Sequence, residues 1–424
     1  MASKRVTTMM KRMVECLPQS SRRAQRDRRF TSAVLFLLCL AVLLMACSPG
    51  GQPAAPTAEA TAVVADAATV EPTATEEPTE EPTEEPTEEP EPTAEPTEEP
   101  EPTEPSAPTK AVATAAPTAA AAALELDTAA YADPGGMFSL TPPLGWTAES
   151  SGASASFAAP DDSGFLYVQV THTGHELDGP SFERFVDSRD LNFFGTYEGY
   201  NVVDRQVNTM AGVATITKGL VFDGIPQRVF TIYDQYGPII YSFDFWADED
   251  LFDAFSATYQ TIIDTATVNS EAAAELTPYD WIYTFTGPSN FFTIDVPTPW
   301  RYELTEAEFT VVDTFYAPDE HGVIQNITYD DGEPTSRSEA GALAIELLRT
   351  YYAEDVSIID DQVQPDGSER LTWRSASGDY SGISFFETRG TAFLLFTVMY
   401  DNPYEETYFD TLDYTIGSYT IPET

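Results

Sequence analysis

The chain has 424 residues, with 69 acidic against 21 basic, and a formal net charge of −48. At roughly 100–200 residues per domain, this length holds two or three domains; so acidic a surface excludes nucleic acid as a partner and repels anionic headgroups through its overall field. The three cysteines are Cys16, Cys39 and Cys47, which excludes a disulfide framework or a thiolate metal centre from everything after them.

Nine of the basic residues precede Cys47, opposed there by Glu15 and Asp27 alone, so the remainder is more acidic still. Residues 33–46 form an unbroken apolar run. A helix spanning a bilayer needs about 20 such residues. A basic stretch followed by a shorter apolar core is instead the layout of a secretory signal. The run ends in Leu44-Met45-Ala46-Cys47. This resembles the lipobox of bacterial lipoproteins, with an aliphatic residue three places before the cysteine and a small one directly before it. The resemblance implies that residues 1–46 are a signal peptide, that cleavage precedes Cys47, and that its sulfur carries diacylglycerol. Two or three acyl chains make a stable anchor where one is marginal. The membrane, reached through lipid on Cys47, is then a partner, and the rest stands at the outer face of the bacterial cytoplasmic membrane. An uncleaved signal anchor is the alternative.

Residues 47–130 are low in complexity, and their centre reads EEPTEEPTEEPTEEPEPTAEPTEEPEPTEP. Each proline fixes its own φ and drives its predecessor out of the helical region, so polyproline II is favoured. With almost nothing apolar to bury, the segment reads as a disordered, lipid-anchored stalk. At about 3.1 Å per residue it reaches at most roughly 250 Å.

The remainder repeats itself. Phe138-Ser-Leu-Thr-Pro-Pro143-Leu-Gly-Trp146 matches Phe292-Thr-Ile-Asp-Val-Pro297-Thr-Pro-Trp300, and Phe157-Ala-Ala-Pro160-Asp161 matches Phe315-Tyr-Ala-Pro318-Asp319. Phe252-Asp253 matches Phe409-Asp410 further on. Each copy reads as an opening strand, a Trp-led strand, alternating strands, a helix, three or four long strands and a closing helix. In the second copy Ser336-Arg-Ser-Glu339 is a capping box for the central helix. The expected fold class is α+β: two tandem domains, each an antiparallel sheet covered by helices. The segment that joins them begins polar and ends in Trp281, Ile282, Tyr283 and Phe285, aromatics expected to pack on the second copy.

The order of elements and the opening Phe-x-[Leu/Ile]-x-x-Pro-x-[Gly/Pro]-Trp resemble the PsbP-like families. These include extrinsic photosystem proteins, a nuclear-transport adaptor of the same fold and several bacterial lipoproteins. The resemblance implies PsbP-like repeats at 131–268 and 286–424, with 269–285 as linker, and modules that bind or support other proteins. Pro299 stands where the pattern usually has Gly.

No P-loop, GxGxxG, GxSxG or HExxH occurs, and no cofactor is implied. His172-Thr-Gly-His175-Glu176 places two imidazoles and a carboxylate in one short stretch, a candidate metal site; the plainer reading is a polar loop. The acidic pairs Asp161-Asp162, Asp330-Asp331 and Asp360-Asp361 lack the spacing of a calcium loop. Trp146 and Trp300 are core residues or the rim of a ligand cleft. The expected function is a non-catalytic binding or accessory lipoprotein, engaging an envelope protein or a small ligand. The competing readings are a surface hydrolase using carboxylates and a solute-capturing lipoprotein serving a transporter.

Overall fold

The structure, a computed structural model, describes residues 124–421 apart from 289, 353, 354 and 366. The signal peptide, Cys47 and the stalk as far as residue 123 lie outside the described residues.

Two short strands, β1 (Tyr131–Ala132) and β2 (Phe138–Leu140), lead into β3 (Thr147–Ser151), β4 (Ser154–Ala158) and β5 (Gly164–His172). Helix α1 (Gly179–Phe194) follows, then β6 (Glu198–Asn208), β7 (Val213–Phe222), β8 (Ile225–Tyr236) and β9 (Ile239–Asp248). Helix α2 (Phe252–Thr265) and β10 (Thr267–Val268) come next. The seven longer strands form one antiparallel sheet in the order β3-β4-β5-β9-β8-β7-β6.

The local sequence accounts for these elements. Along β7, Ala214, Ile216, Lys218, Leu220 and Phe222 are buried and their neighbours half-buried, the period of two that puts alternate side chains on opposite faces. Helix α1 begins at Asp178, whose carboxylate accepts the Ser181 amide at 2.9 Å, with proline in the first turn. Strands β5 and β9 are buried on both faces. Phe255, Tyr259 and Ile262 of α2 pack with Val168, Val170 and Phe243 on one side. Phe182, Phe185 and Val186 of α1 pack with Ile216, Tyr233 and Ile240 on the other.

A short helix α3 (Ser270–Ala273) precedes β11 (Ile282–Thr286), which pairs with β12 (Thr293–Pro297). The second large sheet comprises β13 (Arg301–Glu306), β14 (Thr310–Tyr316), β15 (Gly322–Tyr329), β16 (Val356–Val363), β17 (Glu369–Ser375), β18 (Tyr380–Arg389) and β19 (Ala392–Asp401). Helix α4 (Arg337–Tyr352) lies between β15 and β16, and α5 (Glu405–Ser418) follows β19. The strand order, β13-β14-β15-β19-β18-β17-β16, is that of the first sheet position for position. Glu339 reaches back to the Ser336 amide at 3.3 Å at the start of α4, the carboxylate half of a capping box.

Two expectations need correction. The fold is mostly β, not an α+β arrangement of sheets covered by helices. The helices lie over the middle strands, while β3 and nearly all of β6 are exposed, and β16 is exposed beyond its first residue. Such edge strands bury neither face, so they carry no alternating pattern, and a reading from periodicity undercounts them. The second correction concerns Trp281. Tyr283 and Phe285 pack in the second sheet's core, but Trp281 sits in the first sheet's cluster, 5.3 Å from the Phe193 ring. There it packs against Phe193 and the Arg189 guanidinium of α1 just before the chain enters β11.

Candidate functional site

The residues singled out from sequence lie in different settings. Trp146 is half-buried against the first core. Trp300 is fully buried, its ring edge-on to Tyr279 and Tyr408 at 5.9 and 5.8 Å, so it lines no cleft. His172 accepts the Gly174 amide at Nδ1, 3.1 Å away, and burial pushes its imidazole below the usual value. His175 turns elsewhere, its Nε2 3.1 Å from Asp319. Glu176 is exposed. Among the described residues, no three His, Cys, Asp or Glu side chains converge as a metal site would require. Cys47 lies outside the described residues.

The stretch read as a metal candidate instead belongs to a joint between the two sheets. Tyr279 donates its amide to the His172 carbonyl at 2.8 Å. Arg184 Nε donates to the Pro318 carbonyl at 2.6 Å. Asn192 donates from Nδ2 to both the Thr298 and the Trp300 carbonyls, at 2.8 Å each. Asp319 is the centre: His175 faces one oxygen and the Tyr408 hydroxyl donates to the other. Burial pushes the Asp319 carboxyl up, but the bonds from His175, Tyr408 and the His321 amide outweigh it and hold the group below the usual carboxylate value. The Tyr404 ring stacks on His321 at 3.9 Å and lies 5.1 Å from His175. Gly174, at φ +83°, lets the turn approach Thr407, where any Cβ would collide.

A second polar cluster lies under α1 in the first sheet, and the sequence reading passed over it. Arg189 and Asp244 are both fully buried and form a two-point pair at 2.9 and 2.5 Å. Asp244 also accepts the Thr231 hydroxyl at 2.7 Å. Lys218, equally buried, donates to Asp190 and, at 2.9 Å, to Thr231. Tyr200 donates to the other Asp190 oxygen at 2.6 Å. The Arg189 guanidinium lies over Phe193 and Trp281, and the Lys218 ammonium 3.7 Å from the Phe194 centroid. Burial pushes Lys218 down to about 8, with Asp190 and Asp244 pulling it back up. Burial alone would lower Arg189, but Asp244 raises it further. An amine shifted this far is a weaker base than a surface lysine but holds more of its unprotonated form near neutral pH; here it is sealed beneath aromatic rings.

One signal for this cluster was present. Lys218 occupies an inward position of β7 between Ile216 and Leu220, where the alternation calls for an apolar residue. Asp244 lies within the buried run of β9 in the same way. A charge at such a position needs a partner brought from elsewhere in the chain.

No protein-family model matches the chain, and the search of curated proteins finds no relative. Solved structures offer loose likenesses. Cyanobacterial PsbP (CyanoP) from Synechocystis sp. PCC 6803 is 14% identical, covers 37% of this chain and 99% of its own, and superposes with a TM-score of 0.28. A protein from Bacteroides thetaiotaomicron VPI-5482 is 10% identical over 62% of this chain and 87% of its own, with a TM-score of 0.24. The T6SS immunity protein TplEi from Pseudomonas aeruginosa is 9% identical over 65% and 97%, with a TM-score of 0.20. A PsbP-like protein is thus among the structural neighbours of this chain.

Proposed function

We propose that this chain is a cell-envelope lipoprotein, held by lipid on Cys47, whose folded part is a non-catalytic binding or accessory module carried on a long acidic stalk. The observation that carries the reading is the apolar run 33–46 ending in Leu44-Met45-Ala46-Cys47, followed by a proline-spaced acidic stretch. The geometry of the first sheet supports the non-catalytic part. Its four buried charges are committed to one another, and none is offered to a substrate. The anchor places the folded part outside the outer face of the bacterial cytoplasmic membrane.

Fractionation of cells making the Cys47→Ala variant tests the anchor. The variant protein should leave the membrane fraction; a protein still cleaved and still membrane-bound would refute the reading. Cross-linking on intact cells tests the binding role, with recovery of one envelope protein expected. Turnover of a chromogenic ester or glycoside by the purified chain, lost on neutralising one carboxylate, would replace it with an enzyme.

A further inference from the structure

Lys218 is the only lysine after Lys110 in the whole sequence. An ammonium ordinarily lies in water, yet this one is fully buried on β7 of the first sheet. Its Nζ is in direct contact with Oδ1 of Asp190 on α1, a carboxyl almost as deeply buried. The neighbours stand around this pair as a condensation would need them. Tyr200 donates its hydroxyl to Asp190 Oδ2 at 2.6 Å, the oxygen away from the amine. Thr231 Oγ1 accepts from Nζ at 2.9 Å and donates to Asp244 at 2.7 Å, which fixes the direction of the amine. The Phe194 ring centroid lies 3.7 Å from Nζ and keeps water from that side. Arg189 and Asp244 alongside cannot react in this way, because a guanidinium stays protonated.

We propose that Lys218 and Asp190 become joined by an amide bond between Nζ and Cγ, formed by the folded chain on itself with loss of water. The ion pair first turns neutral: one ammonium proton passes to Asp190 Oδ1, leaving an amine and a carboxylic acid. A dry site favours this exchange, because it removes two charges that burial penalises. Burial pushes the Lys218 ammonium down to about 8, which keeps part of it as amine near neutral pH. The amine lone pair then bonds to Asp190 Cγ, and negative charge gathers on Oδ2, where the Tyr200 hydroxyl donates. The bond from Cγ to Oδ1 breaks. Oδ1 leaves as water, with the proton it received and a second proton from the amine. The third proton stays as the amide N–H, with Thr231 as its acceptor. Holding the two groups in contact supplies an effective concentration on the order of 10⁵ M or more, which drives a condensation that is unfavourable between separate molecules.

The bond ties α1 to β7 and closes a loop between positions 28 apart. It restricts the unfolded chain as a disulfide would, in a sequence without cysteine after Cys47. Once it has formed, neither group titrates. It goes beyond the binding reading and requires neither the lipid anchor nor a partner.

Peptide mapping of the purified full chain, unfolded before tryptic digestion, tests the bond. Trypsin does not cleave after a lysine bonded through Nζ. Residues 190–205 and 206–228 should therefore appear as one branched peptide, lighter than the two together by one water. Separate peptides 190–205 and 206–218 from the wild-type chain would overturn the proposal, and that reading needs no variant to fold. Asp190→Asn should give the same branched peptide with loss of ammonia in place of water, because the side-chain nitrogen is then the leaving group. Asp190→Ala and Lys218→Met should abolish it. A branched peptide that persists in Asp190→Ala would put the bond on another carboxyl group and overturn the assignment.

Discussion

The centres of the two sheets share one backbone arrangement and hold opposite chemistry. In the first, Thr231 faces Asp244 across β8–β9, beside Lys218 and beneath Arg189 and Asp190. In the second, Ser384 faces Thr397 across β18–β19, and Trp373 stands where Lys218 does. Leu347 and Leu348 hold the helix positions of Arg189 and Asp190, counted from the first residues of α4 and α1. Trp373 donates Nε1 to Ser384 Oγ at 2.9 Å, and Ser384 shares a hydroxyl bond with Thr397 at 2.8 Å. Gly382, opposite Trp373, leaves room for the indole, since any Cβ there would collide with it. Two buried ion pairs and one neutral chain of hydrogen bonds therefore serve the same place. A buried ion pair rarely stabilises more than a well-packed apolar substitute, because desolvation offsets the Coulomb gain. What charges add is intolerance of partial change: each is severely destabilising once its partner is gone.

The largest expected effect follows directly. Arg189→Met leaves Asp244 buried without its cation and should cost about 3–5 kcal/mol, read as a lower denaturant midpoint. The double variant Arg189→Met/Asp244→Leu should recover most of that loss. A double variant as unstable as the single one would mean that the pair contributes packing alone.

The neutral centre should yield less. Ser384→Ala removes the acceptor of the Trp373 indole and should cost about 1–3 kcal/mol. An effect as large as that of Arg189→Met would erase the contrast between the sheets.

The joint comes next in size. Asn192→Ala frees two carbonyls that water can reach only in part, and should cost about 1–2 kcal/mol. Because Asn192 links the sheets, hydrogen exchange in Thr298 and Trp300 should rise more than in the middle of β5 or β15. Uniform exchange throughout would show that the two sheets unfold as one body.

The smallest effect is one of pH. The folded value of Lys218, about 8, lies below the ordinary lysine value. Between the two, the unfolded chain binds more protons, so stability should rise with pH from about 8 toward 10. Above that, buried tyrosines such as Tyr233, whose ionisation burial opposes, reverse the trend as the unfolded chain loses its phenolic protons. Lys218→Met should flatten the rise; an unchanged profile would show that Lys218 keeps its ordinary value.

The strand-helix-strand order, the Ser336 cap and the long central strands were legible in the residues, because each depends on neighbours within a few positions. The strand content was not, since edge strands such as β6 show water both faces and so have no period. Of the candidate site, the sequence contained His172 and His175 but not their roles. His175 finds its partner in Asp319, far along the chain, and only the packing of the sheets brings the two together.

By itself, then, the sequence determined where the chain is apolar, where it is rich in proline and acid, and which short stretches resemble one another. The tertiary structure decided which charges meet. Arg189 and Asp244 lie 55 positions apart, and Lys218 and Asp190 lie 28. Neither pair belongs to a spacing of helix or strand. A charge can be recognised as misplaced from its own period, but its partner is chosen by how a helix crosses a sheet, and that crossing is a property of the whole packed core.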